Sequence, residues 1–332
     1  MQPTVQQQTG GPSTARIWAV LGVLYIVWGT TYLGIAEVNK TIPTLIGAGT
    51  RFLIAGGLLF AWQYARTPER PDARHWKAAA IIGALLLLGG NTGVAWAERT
   101  VPTGIVSLII ALTPLWLALF DRVILRSSPL GWRVVVGLVG GFTGALLLVG
   151  ISARWGHVPL PGMLTAVGAT LCWATGALYA RRARLPKNSF LSSGMQMLTG
   201  GIVIMTIAVL TGEFGQLHLS QVSRTSWIGL IYLIVIGSWV GFSSFIWLIR
   251  NARTSLVSTY AYVNPMVAVT LGWLVLGETL TPRVFLAGGV ILASVAMIVS
   301  AGGPQREETG DPAAGELLMD PPEMNRGSEA VQ

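Results

Sequence analysis

The sequence predicts an all-α integral membrane protein of ten transmembrane helices. They form an inverted repeat of two five-helix units, with both termini cytoplasmic. Three observations predict this. Of 332 residues, 52% are apolar and only 11% charged, where soluble chains carry roughly 25% charge, so the surface is not built to face water. Apolar stretches of about 18–23 residues recur along the chain, each long enough to cross about 30 Å of hydrocarbon as a helix. The basic residues also alternate systematically between the two sets of loops.

In chain order, Met1–Ala15 is polar and rich in Gln, Thr, Gly and Pro, neither signal peptide nor span, and is expected to be a disordered N-terminus. The expected spans are 17–36, 43–62, 77–96, 103–121 and 131–150 in a first unit (16–150). Spans 160–179, 190–211, 226–248, 254–276 and 283–301 follow in a second (151–301). Pro43, Pro102, Pro129 and Pro282 stand where spans begin, suited to a first helical position, with Thr100, Ser128 and Thr281 as caps before three of them. Residues 302–332 hold 7 of the 14 acids and read as a disordered acidic tail. Trp18, Trp62, Trp76, Trp132, Trp155 and Trp227 fall at span ends and suit an interfacial belt.

Of the 22 basic residues, Lys40, Arg99, Arg154, Arg224 and Arg283 fall in one loop set, Arg51 falls inside a span, and the other sixteen share the side of both termini. That asymmetry makes the shared side cytoplasmic and places the chain in the cytoplasmic membrane as a multi-pass protein. The basic surplus is therefore a topology signal, and no nucleic-acid partner is expected. A single cysteine excludes a disulfide scaffold or Cys-cluster metal site. The three histidines, at 75, 157 and 218, lack i,i+4 spacing. No metal or cofactor is expected. No Walker motif is present, and no nucleophile–base pair or paired-Asp motif lies at membrane depth, so the chain is not expected to be an enzyme.

Compared with itself at an offset of 145, the chain brings Trp28, Thr30 and Leu33 onto Trp173, Thr175 and Leu178; at 144, Gly56-Gly57 onto Gly200-Gly201. At 151, Trp96, Arg99, Thr103, Val106, Ser107 and Pro114 meet Trp247, Arg250, Thr254, Val257, Ser258 and Pro265. Five spans is an odd number, so the second copy lies inverted. Inverted repeats build many secondary transporters, with the substrate site near midplane between the halves.

The segments W-G-T-T-Y-L at 28–33, A-G-T-R-F-L-I-A-G at 48–56, A-Y-V-N-P-M-V-A at 261–268 and L-G-E-T-L-T at 276–281 resemble the EamA family of the drug/metabolite transporter (DMT) superfamily. The run 247–265 is close to the YedA-type exporters within it. The resemblance covers about 17–301 and implies two five-helix EamA units, alternating-access export and small organic metabolites as substrates, such as amino acids or related amphipathic or aromatic solutes. Where the family pattern expects Leu-Gly-Glu in the first repeat too, Leu125-Arg126-Ser127 stands instead. A lipid or lipid-precursor flippase is the alternative, favoured by a lateral opening between helices; a membrane-embedded enzyme ranks last.

Polar and aromatic residues at midspan are the candidate cavity set: Trp28, Thr31, Tyr32, Asn91, Thr113, Pro114, Trp173, Trp239, Tyr260, Tyr262, Asn264 and Pro265. An indole at midspan needs an internal partner, and a proline there frees a carbonyl. Pro114 and Pro265 are expected to break two helices at matched places. Arg51 is either an external gate or anion-binding point, or one half of a permanent ion pair with Glu37 or Glu98. Glu278 is a further gate candidate, or simply a helix-end charge, and Asp121 and Arg122 read as interfacial charges. Gly137, Gly140, Gly141 and Gly144 allow close helix approach, within one chain or at a homodimer seam. The expected partners are a small-molecule substrate and membrane lipid.

Overall fold

The structure, a computed structural model, describes residues 12–125, 159–252, 260–277 and 282–301, with parts of 131–147 and 254–257. All secondary structure among them is helical: α1 (Thr14–Asn39), α2 (Thr44–Arg66), α3 (Ala73–Ala97), α4 (Thr103–Ile110), α5 (Thr113–Leu125), α6 (Leu160–Arg182), α7 (Ser189–Leu210), α8 (Arg224–Asn251), α9 (Tyr260–Leu276) and α10 (Pro282–Ala301). The described residues between 132 and 147 are helical too. Among the described residues, α1, α2, α3, α6, α7 and α8 are long and apolar enough to cross a membrane, at 22 to 28 residues each. Shorter apolar helices span Thr103–Leu117, Val263–Leu276 and Phe285–Ser294.

Local chemistry sets the helix starts. Ser13 accepts from the Arg16 amide at 3.4 Å, so α1 begins at Thr14 and takes in two residues expected to be disordered. Asn188 caps α7 through the Phe190 and Leu191 amides, and Ser223 caps α8. Pro43 and Pro102 stand one residue before α2 and α4 rather than at their first positions. A proline there offers no side-chain acceptor. For α2 the acceptor comes from a distant loop: Glu213 Oε2 takes the Leu45 and Ile46 amides at 2.9 and 3.2 Å. At the other end of the same helix pair, Glu69 takes the Lys187 and Asn188 amides at 2.7 and 3.1 Å. α2 is thus capped by a carboxylate that follows α7, and the turn leading into α7, whose own cap is Asn188, is held by a carboxylate that follows α2; each lies near the positive end of a helix dipole.

The α2–α7 contact is the most extensive helix pairing in the described fold. It is made backbone to backbone. A Cβ on Gly56 would lie 2.3 Å from the Leu198 nitrogen, and one on Gly201 would lie 2.7 Å from the Leu53 nitrogen. Gly194 meets the Phe60 backbone in the same way, at 2.7 Å, while Gly49 faces Met205, whose side-chain end would lie at 3.0 Å and whose nitrogen at 3.4 Å. The pairs 56 with 198, 53 with 201, 49 with 205 and 60 with 194 each sum to 254, so the helices run antiparallel. An offset of 145 exchanges the pairs among themselves, which is a pseudo-twofold axis. The Gly-Gly match at 144 therefore needs correcting by one: Gly56 corresponds to Gly201, at the offset that also relates Trp28 to Trp173.

Gly140 and Gly144 face α10, where their Cβ positions would meet Ser294 and Ile291, and Gly141 faces Leu115. This small-residue seam is therefore filled within one chain. α9 ends at Gly277, whose φ of +67° suits glycine.

Replacing Gly56 or Gly201 by Ala is expected to destabilise the protein in detergent by about 1–3 kcal/mol through overpacking. Gly57→Ala, whose nearest neighbour would lie at 4.0 Å, is expected to leave the melting temperature unchanged. Equal melting temperatures for all three variants would refute the backbone-to-backbone seam.

Candidate functional site

Around the α2–α7 pair, α3 packs on α6 and α1 packs on α8. Both α3 and α8 contain a ten-residue stretch of wide π-helical turns, Gly83–Thr92 and Leu233–Phe242. Such turns are rare and tend to mark functional positions. Each carries a glycine on which an indole from the facing helix rests. A Cβ on Gly90 would lie 2.6 Å from the Trp173 ring, and one on Gly241 would lie 2.8 Å from Trp28 Nε1.

The two indoles meet edge to face across the pseudo-twofold, with centroids 5.4 Å apart. Phe245 packs on both, at 4.8 and 5.3 Å, and Tyr260 stands edge-on to Trp28 at 5.2 Å. A cavity of about 60 Å³ opens beside this cluster. Seven residues of the expected set line it: Trp28, Thr31, Tyr32, Asn91, Trp173, Tyr260 and Asn264. They come from α1, α3, α6 and α9, so both halves of the chain build the wall. Ile35, Val94 and Ile110 complete it; nothing distinguishes them in sequence from the other aliphatics of their spans. The Asn264 amide lies within 3.2 and 3.3 Å of the Tyr25 and Tyr260 carbonyls and donates to both.

Other expected residues stand elsewhere. Trp239 donates from Nε1 to the Ala55 carbonyl at 2.9 Å and faces a separate groove. Thr113 is fully buried and closes the break after α4 by donating to the Ile110 carbonyl at 2.7 Å. Pro114 follows in the first turn of α5, after a true interruption, whereas Pro265 lies inside α9, which continues through it. The two prolines thus do not make equivalent breaks, because only Pro114 falls where a new helix starts. The side chains of Tyr262, Asp121 and Arg122, and the whole of Glu278, lie outside the described residues.

Arg51 is 3% exposed. Its Nε donates to Ser238 Oγ at 2.9 Å and its Nη1 to Asn91 Oδ1 at 3.2 Å, joining α2, α8 and α3. Gly237 leaves room for the guanidinium, since a Cβ there would come within 2.9 Å of Nη2. Among the described residues the ion pairs are Lys40–Glu37 and Asp72–His75, and Arg51 belongs to neither. Glu37 bonds its own helix-end neighbour Lys40 because three residues bring them onto one face; it is not the partner of Arg51. Glu98 closes α3 with both carboxylate oxygens buried. Ser238, the lone hydroxyl in the run Leu233–Phe242, was a readable signal that the sequence analysis missed.

Comparison with known proteins follows the same architecture. The model of the EamA-like transporter family matches residues 14–150 and 160–300. The uncharacterized inner membrane transporter YedA of Escherichia coli K12 is 36% identical over 285 residues, covering 85% of this chain and 90% of YedA. The uncharacterized transporter YvbV of Bacillus subtilis is 24% identical, covering 85% of this chain and 91% of its own. A probable terminal-alkyne amino-acid exporter of Streptantibioticus cattleyicolor is 24% identical over 305 residues, covering 89% of this chain and 97% of its own. A crystal structure sharing 20% identity superimposes with a TM-score of 0.61, covering 86% of this chain and 96% of its own, which supports the fold.

Gly90→Ala and Gly241→Ala are expected each to displace one indole and to weaken the near-ultraviolet circular dichroism of the tryptophans. Gly289→Ala, which meets open space, is expected to leave that signal intact. An unaltered spectrum in both cavity variants would refute the seating of the indoles on these glycines.

Proposed function

Since the chain belongs to the EamA-like transporter family, we propose that it is a secondary transporter of the DMT superfamily, exporting small organic metabolites by alternating access. It works in the cytoplasmic membrane, in ten crossings with both termini inside. In this reading α4 and α5 make one crossing and residues 131–150 another. The first EamA unit is 16–150, the second 151–301, and the flanking segments are tails. The substrates are amino acids or related amphipathic or aromatic solutes, and the chain performs no covalent chemistry on them.

One observation carries the reading: the cavity bounded by Trp28 and Trp173 lies between the two pseudo-symmetric halves. Inverted repeats generate two equivalent routes to such a place, one to each side. Its wall of two indoles, two phenols and two carboxamides offers stacking and hydrogen bonds, with no carboxylate among the lining residues. That suits amphipathic organic solutes better than metal ions.

A second reading, a flippase for a lipid or lipid precursor, has one observation in its favour. A groove of about 790 Å³ lies between α1, α2, α7 and α8, lined by Leu58, Trp62, Phe190, Trp239 and Val240, with Arg16 over the Trp247 ring at 5.1 Å. It shares no lining residue with the central cavity, so a solute there would not touch the paired indoles.

In proteoliposomes screened with radiolabelled amino acids and aromatic acids, the wild type is expected to show saturable flux of at least one solute. Trp28→Ala combined with Trp173→Ala is expected to lower that flux at least tenfold with normal insertion. Unchanged flux would remove the cavity assignment, and flux of labelled lipid alone would favour the groove. A flux indifferent to an imposed proton gradient would exclude proton coupling.

A further inference from the structure

Taking the carrier reading as its premise, we infer that the transported solute bears a carboxylate, and that Arg51 with Asn91 forms the subsite for it. The acid group binds at this polar end while the apolar body of the solute rests on Trp28, Trp173 and Tyr260.

Arg51 is buried, and the groups that hold it are uncharged: the dipoles of Ser238 and Asn91, and the Phe52 ring, whose centroid lies 4.7 Å from the guanidinium carbon. Among the described residues no carboxylate pairs with it. A buried cation is costly unless an anion compensates it. Five N–H donors in a planar fork fit a carboxylate bidentately, and the two bonds to Ser238 and Asn91 leave others over. The guanidinium lines a void of about 20 Å³, which shares Ile35 and Asn91 with the aromatic cavity. Asn91 is therefore the partition between cation and cavity.

The repeat supplies an independent argument. At the offset of 145 fixed by the α2–α7 contacts, the position matching Arg51 is Gln196. It too is fully buried, donating to Ser192 Oγ at 2.9 Å with its Oε1 unpartnered. The same place on the partner helix thus tolerates a neutral amide, so helix packing at this point does not demand a charge. The cation is an addition to one half, and it stands behind the cavity wall.

The full-length protein in detergent is titrated calorimetrically with matched pairs: phenylacetate against phenylacetamide, and indole-3-acetate against indole-3-acetamide. The acid of at least one pair is expected to bind ten times more tightly than its amide. Arg51→Gln is expected to abolish that preference while leaving amide affinity within twofold. If Arg51→Gln fails to fold, Asn91→Asp serves instead: it gives Arg51 an internal carboxylate and is expected to collapse the acid-to-amide ratio towards one. Equal affinity for acids and amides, binding of neither, or a preference that survives both substitutions overturns the inference. Counterflow of the labelled amides in proteoliposomes separates the two claims. Counterflow without acid preference leaves the carrier and removes the subsite; acid preference without saturable flux of any solute does the reverse.

Discussion

The rest of the architecture hangs on the absence of three Cβ atoms. In a bilayer, lipid tails are as apolar as the helices, so burying leucine gives little reason for two helices to prefer each other; close packing must do it. Gly56, Gly194 and Gly201 let α2 and α7 touch backbone to backbone. Because the contacts are exchanged by one offset, the axis between the halves passes through this seam. From there the positions of the other helices follow: α3 and α6 on one side, α8 and α1 on the other. The meeting of Trp28 with Trp173 is a consequence of that arrangement. The carboxylates of Glu69 and Glu213 reinforce it from opposite ends, tying the start of each seam helix to the loop that leaves its partner.

The symmetry is kept where it packs and lost where it has chemistry. Both halves provide a π-helical stretch, a glycine and an indole. Yet Arg51 has Gln196 opposite it, and the break before Pro114 has an unbroken helix around Pro265. A carrier built from two identical halves would offer a solute the same environment from either orientation. Arg51 breaks that equivalence: it stands on one half only, behind the cavity wall at Asn91.

Much of this was legible in the sequence, for reasons that also explain the gaps. Hydrophobic length is a strong signal because the bilayer enforces it, so the long helices fell within a few residues of their expected bounds. Trp28 and Trp173 stood out because large aromatics recur at one offset. Trp239 was indistinguishable from them by depth; only the face it occupies, turned to the Ala55 carbonyl, sets it apart. Glu69 and Glu213 carry no sequence signal of their role, since capping across the fold leaves no local pattern. The one-residue error in the glycine match arose because identical letters, Gly-Gly with Gly-Gly, align without regard to which glycine is in contact. π-helical turns have no composition of their own, and nothing in 83–92 announced one.

The cavity itself states what binding must change. At about 60 Å³ it holds about two waters, whereas pockets for organic ligands occupy about 300–1,000 Å³. A solute therefore cannot enter while the indoles remain 5.4 Å apart with Phe245 and Tyr260 against them. The seam between α2 and α7 is the wrong place to open, because its contacts are backbone to backbone and the two glutamate caps close both ends. The indoles instead rest on α3 and α8 at their π-helical stretches. There, a wide turn that tightens to ordinary α geometry shifts the register of everything beyond it by one residue. The residues that hold Arg51, Asn91 and Ser238, thus lie on the same π-helical segments as Gly90 and Gly241, the glycines that seat the aromatics.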